Sequence, residues 1–234
     1  PESYRFFAAD GYIFVSQDIR GRYRSEGEFI MQRPLHDPRD RNGVDESTDT
    51  YDTVTWLLAN VPGNNGKVGV LGVSYPGFLA TMAGINPHPA VKAISPQAPM
   101  TDTWMGDDFF HQGAFRLSYG FEYAGSMELS SDSPLSGQLP ITSWDTYEWY
   151  QKLGSLANVD ARYFHGRVPT WGAFVAHPAY DGFWQSRAVQ RVLKAPVVPT
   201  LTVGGWWDQE DRYGPLATYA ALEKGDSGGR NFLV

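Results

Sequence analysis

Ser74 stands between two glycines in Gly72-Val73-Ser74-Tyr75-Pro76-Gly77, directly after a β-branched apolar run and directly before a small, apolar one. Strand followed by helix around such a serine reads as a nucleophile elbow of the Gly-x-Ser-x-Gly kind. The strained turn lifts the hydroxyl above the sheet, and glycine lets neighbouring backbone approach where a Cβ would clash. The helix that follows directs N–H groups at developing negative charge, and the Tyr75 N–H becomes an oxyanion donor. A serine hydroxyl also needs a base, and this architecture orders its partners as serine, acid, histidine. Asp208 fits the acid, just past a β-branched strand and at what should be the carboxyl edge of a sheet. His36, His88, His111, His165 and His177 all precede it.

Asp208-Gln209-Glu210-Asp211 puts three carboxylates into four residues, and Asp107-Asp108 falls on what should be the same edge. Converging like charges raise one another's pKa unless a cation lies among them, so such a cluster calls for an ammonium group or a metal. An exposed acidic turn is the plain alternative. The alternating ligand spacing of a calcium loop is missing, and neither metal nor cofactor is expected. Trp206 and Trp207 are read as one core residue and one pocket wall. His177 reads first as structural and second as a substrate contact, and Asp18 with Arg20 as an ion pair that fixes a loop.

These residues need a frame, and 234 residues with 42% apolar and 19% charged side chains are enough for one substantial core. A net charge of −7 leaves no footprint for nucleic acid or anionic lipid, no apolar run is long enough to span a bilayer, and no signal peptide is visible. The absence of Cys excludes disulfides, thiolate metal sites and a Cys nucleophile. Strands are expected at Gly11–Asp18, Lys67–Val73, Val91–Ser95, Val197–Val203 and Phe232–Val234, those at 11–18 and 67–73 as fully buried runs. Helices are expected at Thr50–Val61, with Ser47, Thr48 and Asp49 as caps, at Phe78–Gly84 and at Leu216–Glu223, and a long polar loop over 20–46. From about Thr103 to Arg187 the regular alternation stops. This stretch, with aromatics, a Ser-rich run over Ser126–Ser136 and a helical patch at Trp144–Leu156, is read as a mostly helical insert. Strand and helix alternating on both sides of it point to a doubly wound parallel sheet with a lid.

The ordered set Gln17-Asp18-Ile19-Arg20-Gly21-Arg22 with Ser25-Glu26-Gly27, Gly72 to Gly77, Trp104-Met105-Gly106-Asp107-Asp108 and Gly204-Gly205-Trp206-Trp207-Asp208 resembles the acylases and esterases of the cocaine esterase type. Within that group it is most similar to the α-amino acid ester hydrolases. The resemblance implies an α/β-hydrolase fold with an inserted, mostly helical cap, divided as 1–102, 103–190 and 191–234. It implies Ser74 as the acylated nucleophile, Asp208 as the acid orienting the histidine, and the Tyr75 N–H in the oxyanion hole. It further implies that Asp108, Glu210 and Asp211 bind a substrate's free α-ammonium group, with Trp207 against the substrate. Small α-amino esters or β-lactam amides would be the substrates, the location periplasmic or secreted, and a homo-oligomer stays open. An X-Pro dipeptidyl peptidase, or an esterase for uncharged acyl groups, is the alternative within the same superfamily; a binding module without a base is the third reading. In the family the catalytic histidine follows a strand like Asn231–Val234, a second oxyanion donor (a Tyr hydroxyl) precedes the Gly11 segment, and a jelly-roll domain comes later. The expectation is therefore an internal segment of such a hydrolase, inactive towards esters on its own.

Overall fold

The structure is a computed structural model that describes residues 4–106, 108–117, 119–129, 139, 141 and 145–234. In chain order its elements are α1 (Arg5–Ala9), α2 (Glu46–Asn60), β1 (Val68–Val73), α3 (Tyr75–Ala83), β2 (Val91–Gln97), β3 (Phe110–His111), β4 (Ala114–Phe115), α4 (Gly120–Glu128), α5 (Thr146–Leu153), α6 (Pro169–Ala176), α7 (Gly182–Arg187), β5 (Thr200–Thr202), α8 (Tyr213–Glu223) and β6 (Asn231–Leu233). A parallel sheet of order β1-β2-β5-β6 is the frame. With its flanking helices it makes an α/β fold, and among the described residues the chain between β2 and β5 adds no strand to that sheet.

Helix α2 starts earlier than its periodicity suggests. The Asp45 carboxylate accepts the Thr48 N–H at 2.8 Å while the Thr48 hydroxyl accepts the Asp45 N–H at 2.9 Å, a reciprocal cap that fixes the start at Glu46 rather than Thr50. Val54 on its inner face packs with Ala90, Val91 and Ile94. Helices α3 and α8 likewise begin at Tyr75 and Tyr213, three residues before the expected starts, because Pro76 and Pro215 fall in first turns, where a missing N–H costs nothing.

Three strand expectations need correction. Residues 12–19 form no ladder among the described residues, and Tyr12, Ile13, Phe14 and Val15 are exposed. A β-branched run becomes a buried strand only where a neighbour supplies hydrogen bonds and cover. Strand β5 is shorter than Val197–Val203, since Pro199 has no N–H for a ladder and Val197 is exposed. Strand β1 is not buried on both faces: Leu71 and Val73 are 42% and 52% exposed. The register aligns Leu71 with Ser95, Ile94 with Thr200, and Leu201 with Phe232, so Leu71, Ser95, Leu201 and Phe232 form one row across that face.

The insert is mostly helical, carrying the β3–β4 hairpin, α4 to α7 and a π-helical turn at Asp160–Phe164. The helical patch appears as α5, with Trp144 outside the described residues, as is 130–136 of the Ser-rich run. It has a core of its own around Phe121, Trp149, Leu153, Phe164 and Trp171. A second core joins its Phe109, Phe110, Phe174 and Trp184 to Tyr75, Phe78 and Met82 of α3, so the insert seats directly on the helix that follows Ser74. Asp102 reinforces the seat. It is buried, accepts the Trp104 and Met105 N–H groups on Oδ1, and holds the Tyr180 hydroxyl at 2.5 Å and the Gln190 amide at 3.2 Å on Oδ2. Among the described residues no helix is long and apolar enough to cross a membrane.

Candidate active site

Three loops leave the carboxyl edge of the sheet side by side, after β1, β2 and β5, at the position where open α/β sheets build their sites. The first is a single residue. Ser74 has φ 64° and ψ −123°, a conformation that side chains disfavour and that the surroundings must enforce. Its N–H donates to the Gln97 carbonyl at 2.9 Å, and its carbonyl accepts the Phe78 N–H at 3.0 Å. The second glycine of the elbow stands one residue later than in Gly-x-Ser-x-Gly, because Pro76 occupies that place. Both glycines are steric requirements: a Cβ on Gly72 would lie 2.3 Å from the Pro76 carbonyl oxygen, and one on Gly77 would lie 2.4 Å from that of Gln97. Tyr75 opens α3, and helix geometry leaves its N–H without an intrahelical acceptor.

The Tyr75 ring is anchored from behind. Its buried hydroxyl accepts the Gln32 N–H at 2.9 Å, while the Gln32 side chain takes the Thr103 hydroxyl at 3.0 Å and reaches the Thr101 carbonyl at 3.4 Å. Gln32 is buried with a positive φ of 46°, so the long 20–45 loop is pinned to the elbow at a strained residue.

Asp108, from the loop after β2, meets Glu210 and Asp211, from the loop after β5, with one carboxylate oxygen of each within 4.8 Å of the others. Asp107 lies outside the described residues. Asp108 and Asp211 are only 4% and 6% exposed, so this is no exposed acidic turn. Burial pushes the Asp108 carboxyl well above the usual range, helped by its hydrogen bond to Asp211 and by the charge of Glu210. Asp211 is also raised, by burial first, although its bonds to Asp108 and Ser74 pull the other way. The two raised carboxyls thus come from neighbouring loops on the edge where Ser74 stands. One buried Asp211 oxygen, Oδ1, has no hydrogen-bond donor. An arrangement of this kind accepts a cation with several N–H donors, because each donated bond replaces a repulsion. The donor set is purely carboxylate, which a hard divalent ion would also accept.

Asp208 shapes its own loop: its Oδ1 accepts the Glu210 and Asp211 N–H groups at 2.9 Å each, turning the two acidic side chains inward. Trp206 and Trp207 are 79% and 98% exposed, so neither is core. Trp206 lines a cleft with Arg212, Pro215 and Leu216. Arg20 pairs with Asp49 of α2, not with Asp18, which instead accepts the Arg24 N–H and, through its carbonyl, the Ser25 hydroxyl. His177 bonds Asp181 at 2.6 Å and stacks on Phe183 at 4.4 Å, a structural arrangement. His36 is taken by Asp45, and His88 by the Ala90 N–H. Sequence spacing gave no sign of Gln32, nor of Tyr119 and Tyr123 of the insert, whose hydroxyls are pushed up chiefly by burial, with the charges of the carboxylates adding to it.

Comparison with known proteins adds the following. The X-Pro dipeptidyl-peptidase (S15 family) description matches residues 2–233. Cocaine esterase of Rhodococcus sp. (strain MB1 Bresler) is 28% identical over 210 residues, covering 86% of this chain and 34% of that protein. Among solved structures, an aminopeptidase from the marine sediment archaeon Thaumarchaeota archaeon superposes with a TM-score of 0.90 at 42% identity, covering 99% of this chain and 38% of the other. An α-amino acid ester hydrolase superposes with a TM-score of 0.88 at 41% identity, covering 98% and 38%. The chain thus spans little more than a third of the length of these relatives.

Proposed function

The chain belongs to the X-Pro dipeptidyl-peptidase (S15) family, and from that premise we propose that it carries the nucleophile and the amine-recognition site of a serine hydrolase for α-amino acyl esters and amides. Ser74 attacks the acyl carbonyl, and the Tyr75 N–H stabilises the oxyanion that forms. Asp208 orients the general base, the histidine that the family resemblance puts after the last strand. The acyl group then passes from Ser74 to water, or to an amine in acyl transfer. Asp108, Glu210 and Asp211 hold the substrate's ammonium group one short reach from the serine, and Trp207 lies against the bound substrate.

The observation that carries this reading is the cluster of three carboxylates, two of them buried, at the sheet edge where Ser74 stands. A neutral acyl group would leave those charges facing each other without a donor, whereas an ammonium supplies three. The 41% and 42% identical structures bear the names α-amino acid ester hydrolase and aminopeptidase, which agrees with a free amine on the acyl side. In the complete protein, kcat/KM for an α-amino ester should exceed that for its N-acetylated counterpart by about 100-fold, the loss expected when buried charged groups go unpaired. Equal values would sink the ammonium assignment. Faster cleavage of an X-Pro amide than of any amino ester would favour the dipeptidyl peptidase branch.

A further inference from the structure

Asp108 lies on the loop after β2 and the Tyr75 N–H at the elbow after β1, so a substrate that engages both needs them at a set distance. Gln32 is where the two are joined. Its N–H donates to the Tyr75 hydroxyl at 2.9 Å, in the helix that opens with the oxyanion donor. Its side chain accepts the Thr103 hydroxyl at 3.0 Å and donates to the Thr101 carbonyl at 3.4 Å, at the root of the loop after β2. Thr103 also closes that loop, because its carbonyl accepts the Phe110 N–H at 3.1 Å, and Asp108 falls between the two. Thr101, Thr103 and Gln32 are all buried, so water does not compete for these bonds. The Tyr75 ring is held besides by Phe29 and Phe78, at 6.4 and 5.7 Å. A glutamine at φ 46° persists only where its surroundings over-determine it, and these three hydrogen bonds do so.

We propose that Gln32 is a specificity-positioning residue: it sets the reach from the oxyanion donor to Asp108, and so selects an amine on the α-carbon over one on the β-carbon. A β-amino ester carries its nitrogen one C–C bond, about 1.5 Å, farther from the carbonyl. A misplacement of that size costs much of the rate when both ends of the substrate are held rigidly, and little when one end can give. Buried as it is, Gln32 acts through Tyr75 and Thr103 rather than on the substrate. The inference rests on the ammonium reading above and deepens it, from the presence of an amine to its place on the acyl chain.

The test is Thr103→Val in the complete protein, which removes the hydroxyl that Gln32 accepts, with Thr103→Ser as the variant that keeps it. The readout is kcat/KM for three esters of one alcohol: an α-amino acyl ester, its β-amino isomer and the des-amino counterpart. We expect Thr103→Val to lower the α-to-β ratio by about tenfold, the size of one buried hydrogen bond, and to leave the des-amino ester nearly unchanged. Thr103→Ser should restore the ratio. Tyr75→Phe, which takes away the acceptor of the Gln32 N–H, should shift the ratio the same way as Thr103→Val. An unchanged ratio in either variant, or equal losses on all three esters, would overturn the proposal and leave Gln32 a packing residue. So would a parent enzyme that favours the amine but takes both isomers alike. A parent enzyme with no preference for an amine would instead overturn the function proposed above.

Discussion

Ser74 shows how much of a site one residue's backbone can determine. Its positive φ is a cost of about 1–3 kcal/mol carried by the fold. Ser74→Gly should therefore raise the melting free energy by about 1 kcal/mol, since glycine accepts that conformation. In the complete protein, where the base is present, it should also abolish labelling by a fluorophosphonate. A variant that melts lower than the parent would show that the turn is not strained. At this scale the sequence was most informative where the chemistry is contiguous: Gly72 to Gly77 and Asp208 to Asp211 can be read in place because each is one turn of chain. Gln32 could not be read, because its partner Tyr75 lies 43 positions away along the chain.

Among the elements, α2 illustrates why helix starts are harder to read than helix bodies. Apolar spacing marks the face that meets Val91 and Ile94, but the boundary is set by a side chain outside that pattern. Asp45 does two things at once, capping α2 through Thr48 and accepting both the backbone N–H and the ring nitrogen of His36, which ties the preceding loop to the helix. Asp45→Ala should cost about 1–2 kcal/mol, the upper range for a lost cap, measured by urea unfolding. Asp45→Asn, which can still cap, should recover more than half of that, and no recovery would mean that the His36 contact rather than the cap carries the energy. The Gly11–Asp18 reading failed for a related reason. Residue pattern describes what a segment could bury, whereas a strand exists only once another strand is bonded to it.

For the molecule as a whole, several buried carboxyls with raised pKa make stability depend on pH in one direction. Glu46, in the first turn of α2, is pushed up to about 8, chiefly by burial, with Asp45 and Asp49 adding repulsion. A raised carboxyl keeps its proton in the folded state while the unfolded chain has already released it, so stability falls as pH climbs from 4.5 to about 8 and levels off above that. Asp108 and Asp211 act with the same sign. Glu46→Gln should therefore flatten the profile and gain about 1–3 kcal/mol at pH 8.5, checked by unfolding at pH 5 and pH 8.5. Identical slopes for variant and parent would remove Glu46 from the account. The row Leu71, Ser95, Leu201 and Phe232 has a different consequence. To water that face is a small plate of hydrocarbon interrupted by one hydroxyl, and stacking two such plates releases the water ordered over both. The register that sets the loops after β1, β2 and β5 side by side thus also lays an apolar row across the exposed face of the sheet.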